Sequence, residues 1–501
     1  MSVNIKKTTF YLFGIRLISS VISFFSLPIM VEYFGISTER DIWLLVSLFI
    51  SSLSNAAFGP INDTFRARFV FIRETRGQDE ALRAIQPLLT FFVITGIFLG
   101  LISFLFAEKI RIFLAPSLST AYDYKIFFYV FVLMLPNFII NQLITTFIAI
   151  LNTYEVFYIP EIAGCFTGLL NILCIYLFAS TMGIFSLIIS MYISTILLFS
   201  ILVLFIKGKK IKIFNISNGF KLRNIKDFFV ISFPFYIPYF LGQLNGIIEK
   251  KLMNIIGTGV VSTVDYAMKF PQIVQGVLIG ILTSVLTPSL TSSFATNNLN
   301  GFSDSMKQSV QLISGIVIIF VSFLWGSTQP LCTYFFFRGD IDEQTVNTII
   351  NLVRLYACAL ICVAFYYLFG LALLSQQQGK YYAGLGAYAQ LFMIAFNIIF
   401  YKKFSIYTFV FSFSIAHISA AIIMSKLLLL EKKYLLFGYF MKSLLVTLCI
   451  SMILFLFNRN LQLNSVFFQL VLNGLLLCLF GIIGLRLIGI NVLKTLKLSL
   501  F

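Results

Sequence analysis

Residues 183–207 read GIFSLIISMYISTILLFSILVLFIK, and no charged side chain occurs before Lys207. About 20 apolar residues in an α-helix rising ~1.5 Å per residue cross the ~30 Å hydrocarbon core of a bilayer. A strand is excluded here, because an open strand in lipid leaves its backbone polar groups unpaired. The strict alternation of a barrel strand is also absent. The segment therefore reads as a membrane-spanning helix.

Runs of the same kind recur along the chain. The expected spans are 9–33, 41–60, 87–107, 126–151, 158–180, 183–207, 228–254, 259–292, 309–336, 346–374, 382–401, 405–429, 438–457 and 465–488. The first is too long for a signal-peptide core and lacks a small-residue cleavage site, so it reads as a retained span. Composition agrees: 59% of the 501 residues are hydrophobic and 11% charged, against about 45–50% and ~25% in soluble domains. The fold class is an all-α polytopic membrane protein of about fourteen transmembrane helices.

The net charge of +17 sits mainly in short loops, which is a topology signal rather than a nucleic-acid footprint. The side holding Lys6 and Lys7 carries most of the Lys and Arg, which predicts cytoplasmic N- and C-termini. Two basic loops stand out on that side. Residues 61–86 carry Arg66, Arg68, Arg73, Arg76 and Arg83, and residues 207–227 carry Lys207, Lys209, Lys210, Lys212, Lys221, Arg223 and Lys226. Contact with anionic lipid and steering of an anionic lipid-linked substrate both suit such loops. The second loop divides the chain into a six-helix segment (1–207), a basic cytoplasmic linker (208–227), a second six-helix segment (228–431), and two further helices with a short cytoplasmic tail (432–501). A short internal echo accompanies this division. Gly35-Ile36-Ser37-Thr38-Glu39-Arg40-Asp41 resembles Gly259-Val260-Val261-Ser262-Thr263-Val264-Asp265, which fits two halves in parallel repeat.

Charges inside spans are costly and call for a reason. Lys269 lies about ten residues into the eighth span, ~15 Å down the helix. It is a candidate cation for a water-filled cavity, with Asp265 one turn away as an intrahelical partner. Arg354 in the tenth span is a candidate second cavity cation. Arg16 in the first either joins them or snorkels to the interface. Asp41 either caps the second span or acts in gating or ion coupling, the role also open to Asp265. His417, Asn137, Asn141, Gln142, Gln243 and Asn245 read as interhelical hydrogen-bonding groups. The seven cysteines show no metal spacing and read as small buried hydrophobes.

The sequence lacks a Gly-rich phosphate loop with Lys, a metal-ligand cluster and a nucleophile with a local base motif. Transport therefore leads over catalysis, with no cofactor beyond an ion gradient or membrane potential. A membrane polysaccharide polymerase or ligase and a cation-coupled drug exporter remain as rivals.

Four blocks carry a family resemblance: Phe34-Gly35 with Asp41; Ala149-Ile150-Leu151-Asn152-Thr153 with Phe157, Ile159 and Pro160; Tyr266-Ala267-Met268-Lys269 with Thr287-Pro288-Ser289-Leu290; and Phe337-Arg338-Gly339. In order and spacing they resemble the multidrug/oligosaccharidyl-lipid/polysaccharide exporter superfamily, especially its lipid II flippase and polysaccharide or O-antigen flippase branches. The resemblance implies two six-helix lobes around a central cationic cavity. It also implies transport of an undecaprenyl-diphosphate-linked saccharide across the bacterial inner membrane by alternating access. Envelope-glycan synthesis enzymes would then be partners. It places Lys269 and Asp41 on family basic and acidic positions. Basic positions expected in the first two spans fall on Ser20, Ser26 and Ser54, with Arg16 as a substitute for one. This departure leaves lipid II and a capsule or O-antigen repeat unit both open as substrate.

Overall fold

The computed structural model describes residues 5–154, 156–209, 211, 222–282, 287–296, 299–336, 341–429, 433–461 and 465–487. Among them are nineteen α-helices and no β-strand. The chain divides into two compact units, Met1–Ser262 and Thr263–Phe501.

The first unit holds α1 (Ile5–Phe34), α2 (Thr38–Arg76), α3 (Gln78–Leu105), α4 (Ala107–Leu114), α5 (Ala121–Met134), α6 (Asn137–Thr153), α7 (Tyr158–Met182), α8 (Phe185–Gly208), α9 (Leu222–Ser232) and α10 (Tyr236–Ile256). The helix α11 (Val260–Ile281) starts at its end. The second unit continues with α12 (Thr287–Ala295), α13 (Leu299–Gly326), α14 (Thr328–Phe336), α15 (Glu343–Ser375), α16 (Gly379–Phe404), α17 (Thr408–Leu427), α18 (Lys433–Asn460) and α19 (Val466–Leu487).

Each expected span falls on a helix or a broken pair of helices. Ten helical stretches of the described residues are long and apolar enough to cross a bilayer, and one of these, Gly379–Leu427, holds two expected spans. The expected spans outside that set are the first, seventh and eighth. α10 carries three charges, Glu249, Lys250 and Lys251, and on α11 the polar Asp265, Lys269, Gln272 and Gln275 lower the hydropathy. Fourteen is thus an approximate count. Large apolar side chains such as Ile196, Leu204, Phe98 and Leu475 point outward, as they must where lipid replaces water as the solvent.

One expectation is corrected. Residues 61–86 are not a loop. α2 runs on to Arg76, Gly77 makes the only break at φ +93°, and α3 starts at Gln78. The extension is amphipathic: Ile61, Phe65, Phe69 and Ile72 are buried at helical spacing, while the arginines take the other faces. Arg73 donates to the Thr153 carbonyl at 2.9 Å, and Arg66 lies over the Phe157 ring at 5.3 Å. Two of the five arginines thus hold the α6–α7 turn.

The compact-unit boundary lies at Ser262, and most of the basic stretch 208–227 (210 and 212–221) is outside the described residues. α10 groups with the first unit because it packs on α2. Tyr236 donates to the Ala57 carbonyl at 3.2 Å, and Tyr239 donates a short hydrogen bond to Asp63. The tail beyond 487 is likewise outside the described residues.

The core of the first unit stacks phenylalanines from several helices. Phe65 of α2 faces Phe228 of α9 at 5.5 Å, and Phe58 meets Phe92 of α3 at 5.3 Å. Inside it, Asn62 and Gln142 exchange reciprocal amide hydrogen bonds of 3.1 and 2.8 Å. In the second unit α15 is the central element, packing on α13, α14, α16 and α17, while α18 packs on α13. Cys174 and Cys332 are buried as expected, but Cys449 and Cys478 lie on exposed faces of α18 and α19.

Gly59 fits the α2–α10 contact because a Cβ there would lie 2.4 Å from the Tyr239 ring. Gly59→Val should cost about 1–3 kcal/mol through overpacking and lower the melting temperature of the detergent-solubilised protein. A wild-type melting curve would show that α10 is not held in this notch.

Candidate functional site

The two echoing segments meet. Gly35 and Gly259 both adopt left-handed backbone, at φ +47° and +80°, and each precedes a helix. α2 starts three residues after its glycine and is capped by its own Ser37, whose hydroxyl accepts the Arg40 N–H at 3.3 Å. α11 starts directly after Gly259, which has no side chain to cap with. Asp41 fills that role from α2. Its carboxylate accepts the N–H of Gly259 at 2.6 Å and of Ser262 at 2.8 Å, and the Ser262 hydroxyl as well. This corrects the expectation that Asp41 caps the helix it starts. Asp41 is 1% exposed, and Lys250 contributes positive charge beside it. A Cβ on Gly259 would lie 2.5 Å from Ile36, so the close approach needs glycine.

On α11 the side chains divide by face. Tyr266 and Phe270 are buried against Phe335 and Phe336 of α14, with ring centroids 5.4–6.1 Å apart. Asp265 and Lys269 lie on the adjoining stripe. Lys269 Nζ is 3.6 Å from Asp265 Oδ1, and its side chain is 45% exposed against 15% for the aspartate. The expected intrahelical pair is present, and it leaves the ammonium accessible. Two residues later Pro271 removes the hydrogen bond that position would give to the Ala267 carbonyl.

Arg354 is placed differently. On α15 its guanidinium lies over Trp325 of α13 at 5.5 Å and Phe455 of α18 at 5.2 Å. The geometry thus groups Lys269 with Asp265, and sets Arg354 apart among aromatic rings. Arg16 and Ser20 lie in α1, but their side chains are outside the described residues. Ser26 donates to the Ser23 carbonyl at 2.6 Å, so its hydroxyl serves its own helix. The Phe337-Arg338-Gly339 block is also outside the described residues. His417 bonds the Phe413 carbonyl of its own helix at 2.7 Å and packs on Tyr366, so it does not bridge helices by hydrogen bonding as expected.

Sequence reasoning passed over α10. Its Glu249-Lys250-Lys251 run lies inside the helix, which continues to Ile256. Lys251 lies over the Phe113 ring of α4 at 3.9 Å, and Asn254 accepts the Ser117 N–H and hydroxyl at 3.2 and 2.8 Å. Three consecutive charges four or more residues before a terminating Gly257 were the available signal.

The family model described as lipid II flippase MurJ matches residues 30–477. The chain belongs to that family. A curated relative, the probable lipid II flippase MurJ of Borreliella burgdorferi, is 24% identical over 186 residues, covering 36% of each chain. The match thus spans about a third of that relative. Among solved structures, a lipid II flippase MurJ in an inward closed conformation superposes with a TM-score of 0.77 at 18% identity, covering 96% of this chain and 98% of that one. An inward-facing multidrug resistance MATE family transporter of the MOP superfamily gives 0.70 at 12% identity, covering 86% and 96%. The fold is that of MurJ and MATE proteins, and the chain is a multi-pass membrane protein.

Removing Asp41 would strand the N–H groups of Gly259 and Ser262 at the start of α11. Asp41→Ala should lower stability by about 1–2 kcal/mol, the usual value of a lost N-cap, and Asp41→Asn by less. Thermal unfolding in detergent reads both. Equal, unchanged melting temperatures would show that the cap carries no stability.

Proposed function

We propose that this protein is a flippase for lipid II, moving an undecaprenyl-diphosphate-linked saccharide from the cytoplasmic to the outer leaflet of the bacterial inner membrane. The observation that carries this reading is Lys269. It is a half-exposed ammonium on a membrane helix, at a position that the sequence resemblance implies is basic in the family, in a chain matched by the lipid II flippase family over residues 30–477.

The chemistry suits the cargo. A diphosphate leaving water needs positive charge where screening is weak. Lys269 offers it even while paired with Asp265 at 3.6 Å, because 45% of its side chain stays exposed. The polyprenyl tail stays in the hydrocarbon, so only the head group crosses. Alternating access of the two halves moves the site between leaflets, with both termini cytoplasmic as the loop charge predicts. Membrane potential supplies ~2.3 kcal/mol per charge per 100 mV. Enzymes of envelope-glycan synthesis supply and consume the cargo. The serines at 20, 26 and 54 keep a capsule or O-antigen unit as a second reading, since they thin the positive charge near the substrate.

The test is flipping of lipid II in proteoliposomes. Loss of a charge-assisted contact predicts that Lys269→Ala slows flipping by about tenfold or more, with an unchanged melting temperature, and that Lys269→Arg retains most activity. Full flipping by Lys269→Ala would overturn the role of this lysine. Transport of a capsule or O-antigen unit but not lipid II would favour the second reading.

A further inference from the structure

The second unit contains a cavity of about 320 Å³ that the flipping mechanism does not use. It lies among α13, α15, α17 and α18, with walls that are almost entirely apolar, including Trp325, Cys358, Cys362, Ile418, Leu444 and Leu448. Its volume falls in the range of small-molecule pockets, about 300–1,000 Å³. α17 and α18 follow one another in the chain but take different partners: α18 packs on α13, and α17 on α15 and α16. The cavity lies in the crevice that this separation leaves. Leu445, Leu448 and Met452 of α18 and Ile415 and Ile422 of α17 are exposed beside it, so its rim is as apolar as its floor.

One end of the crevice is cationic. Arg354 is one turn from Cys358 on α15, its guanidinium lies over the lining Trp325, and Phe455 on its other side is one turn beyond the lining Ser451. Its Nε is buried without a hydrogen-bond acceptor, and among the described residues no carboxylate forms an ion pair with it. The depth is suitable. α15 has 33 residues and is about 50 Å long against a ~30 Å hydrocarbon core. With the excess shared between both ends, Arg354, about 16 Å from Glu343, lies only about 6 Å inside the hydrocarbon boundary. An arginine reaches the head-group level over that distance, and a tryptophan beside it is the residue expected there.

We propose that this crevice is a binding site for an anionic phospholipid, with the phosphate on Arg354 and one acyl chain in the cavity between α17 and α18. An apolar slot ending in an unpaired guanidinium is complementary to an anionic amphiphile. A neutral hydrocarbon would leave the charge unmet, and a soluble anion would leave the slot empty. The site lies wholly within the second unit and does not depend on which saccharide is carried.

Native mass spectrometry of the full-length protein tests it, using phosphatidylglycerol and phosphatidylcholine with identical palmitoyl and oleoyl chains. Wild type should retain phosphatidylglycerol in preference. Arg354→Gln should weaken phosphatidylglycerol about fivefold, the value of one basic residue at a membrane surface, and leave phosphatidylcholine unchanged. Arg354→Lys should restore the preference. Ser414→Phe, which fills the crevice, should weaken both. Phosphatidylglycerol carrying a photoreactive group on its acyl chain should label wild-type peptides spanning 358–362 or 444–451. Equal retention of the two lipids, wild-type affinity in Arg354→Gln, or labelling elsewhere would overturn the proposal. So would displacement of phosphatidylglycerol by an equal concentration of undecaprenyl phosphate, which would assign the crevice to a polyprenyl chain.

Discussion

Lipid offers no hydrogen bonds, so every backbone group at a helix end inside the bilayer must find its partner in the protein. Several of this chain's ends find it in a side chain from another helix. Asp41 of α2 receives the first N–H groups of α11. Arg73 donates to the carbonyl of Thr153 at the end of α6. Gln376, beyond α15, both donates to the carbonyl and accepts the N–H of Leu429 after α17, at 3.2 and 3.1 Å. Asn458 of α18 donates to the last carbonyl of α13, Gly326, at 3.0 Å, and is itself held by Gln469 and Asn473 of α19. Each contact fixes one helix's end to another helix. Much of the bundle's specificity therefore lies in a few polar residues, because apolar packing against apolar lipid discriminates weakly.

This explains what was legible in the sequence. Helix-length apolar runs located a helix or a broken helix pair for each expected stretch, and eleven of the fourteen lie in stretches long and apolar enough to cross a bilayer, since those depend on composition alone. The glycines at 35 and 259 and the aspartate at 41 stood out because left-handed backbone and a buried charge tolerate few residue types. What stayed hidden depended on three-dimensional partners. Residues 61–76 looked like a loop because a helix leaving the membrane carries polar residues on one side, and only Phe65 and Phe69 against Phe228 and Tyr154 reveal the buried side. Asp41 reads as a cap of its own helix by proximity in sequence, yet Ser37 already holds that place, and the free carboxylate reaches 218 residues along the chain.

The charges inside the spans show why sequence position alone does not assign a role. Lys269 and Arg354 both sit well inside apolar runs. Lys269 is beside a carboxylate with nearly half its surface open, so it keeps the capacity to meet a second anion. Arg354 is sandwiched by Trp325 and Phe455. Ring faces attract a cation but do not neutralise it. Both residues thus retain positive charge for a partner, but the surroundings differ in kind. One opens beside polar neighbours on α11, and the other opens onto hydrocarbon. A hydrated saccharide diphosphate suits the first setting, and an acyl-chain amphiphile the second.

The same contrast bears on why α10 and α11 fall outside the set of plainly apolar spans. A helix facing only lipid gains from every apolar residue, and selection for insertion alone would make all the spans alike. Helices that carry Glu249, Lys250, Lys251, Asp265 and Lys269 give up part of that gain, at ~2.5–3.5 kcal/mol for a charge at a helix centre. They remain because their neighbours compensate: Phe113 beneath Lys251, Asn254 on Ser117, and Asp41 on the start of α11. Where a sequence accepts such a cost, a specific contact such as Phe113 beneath Lys251 marks the charge as held by the protein rather than left to lipid.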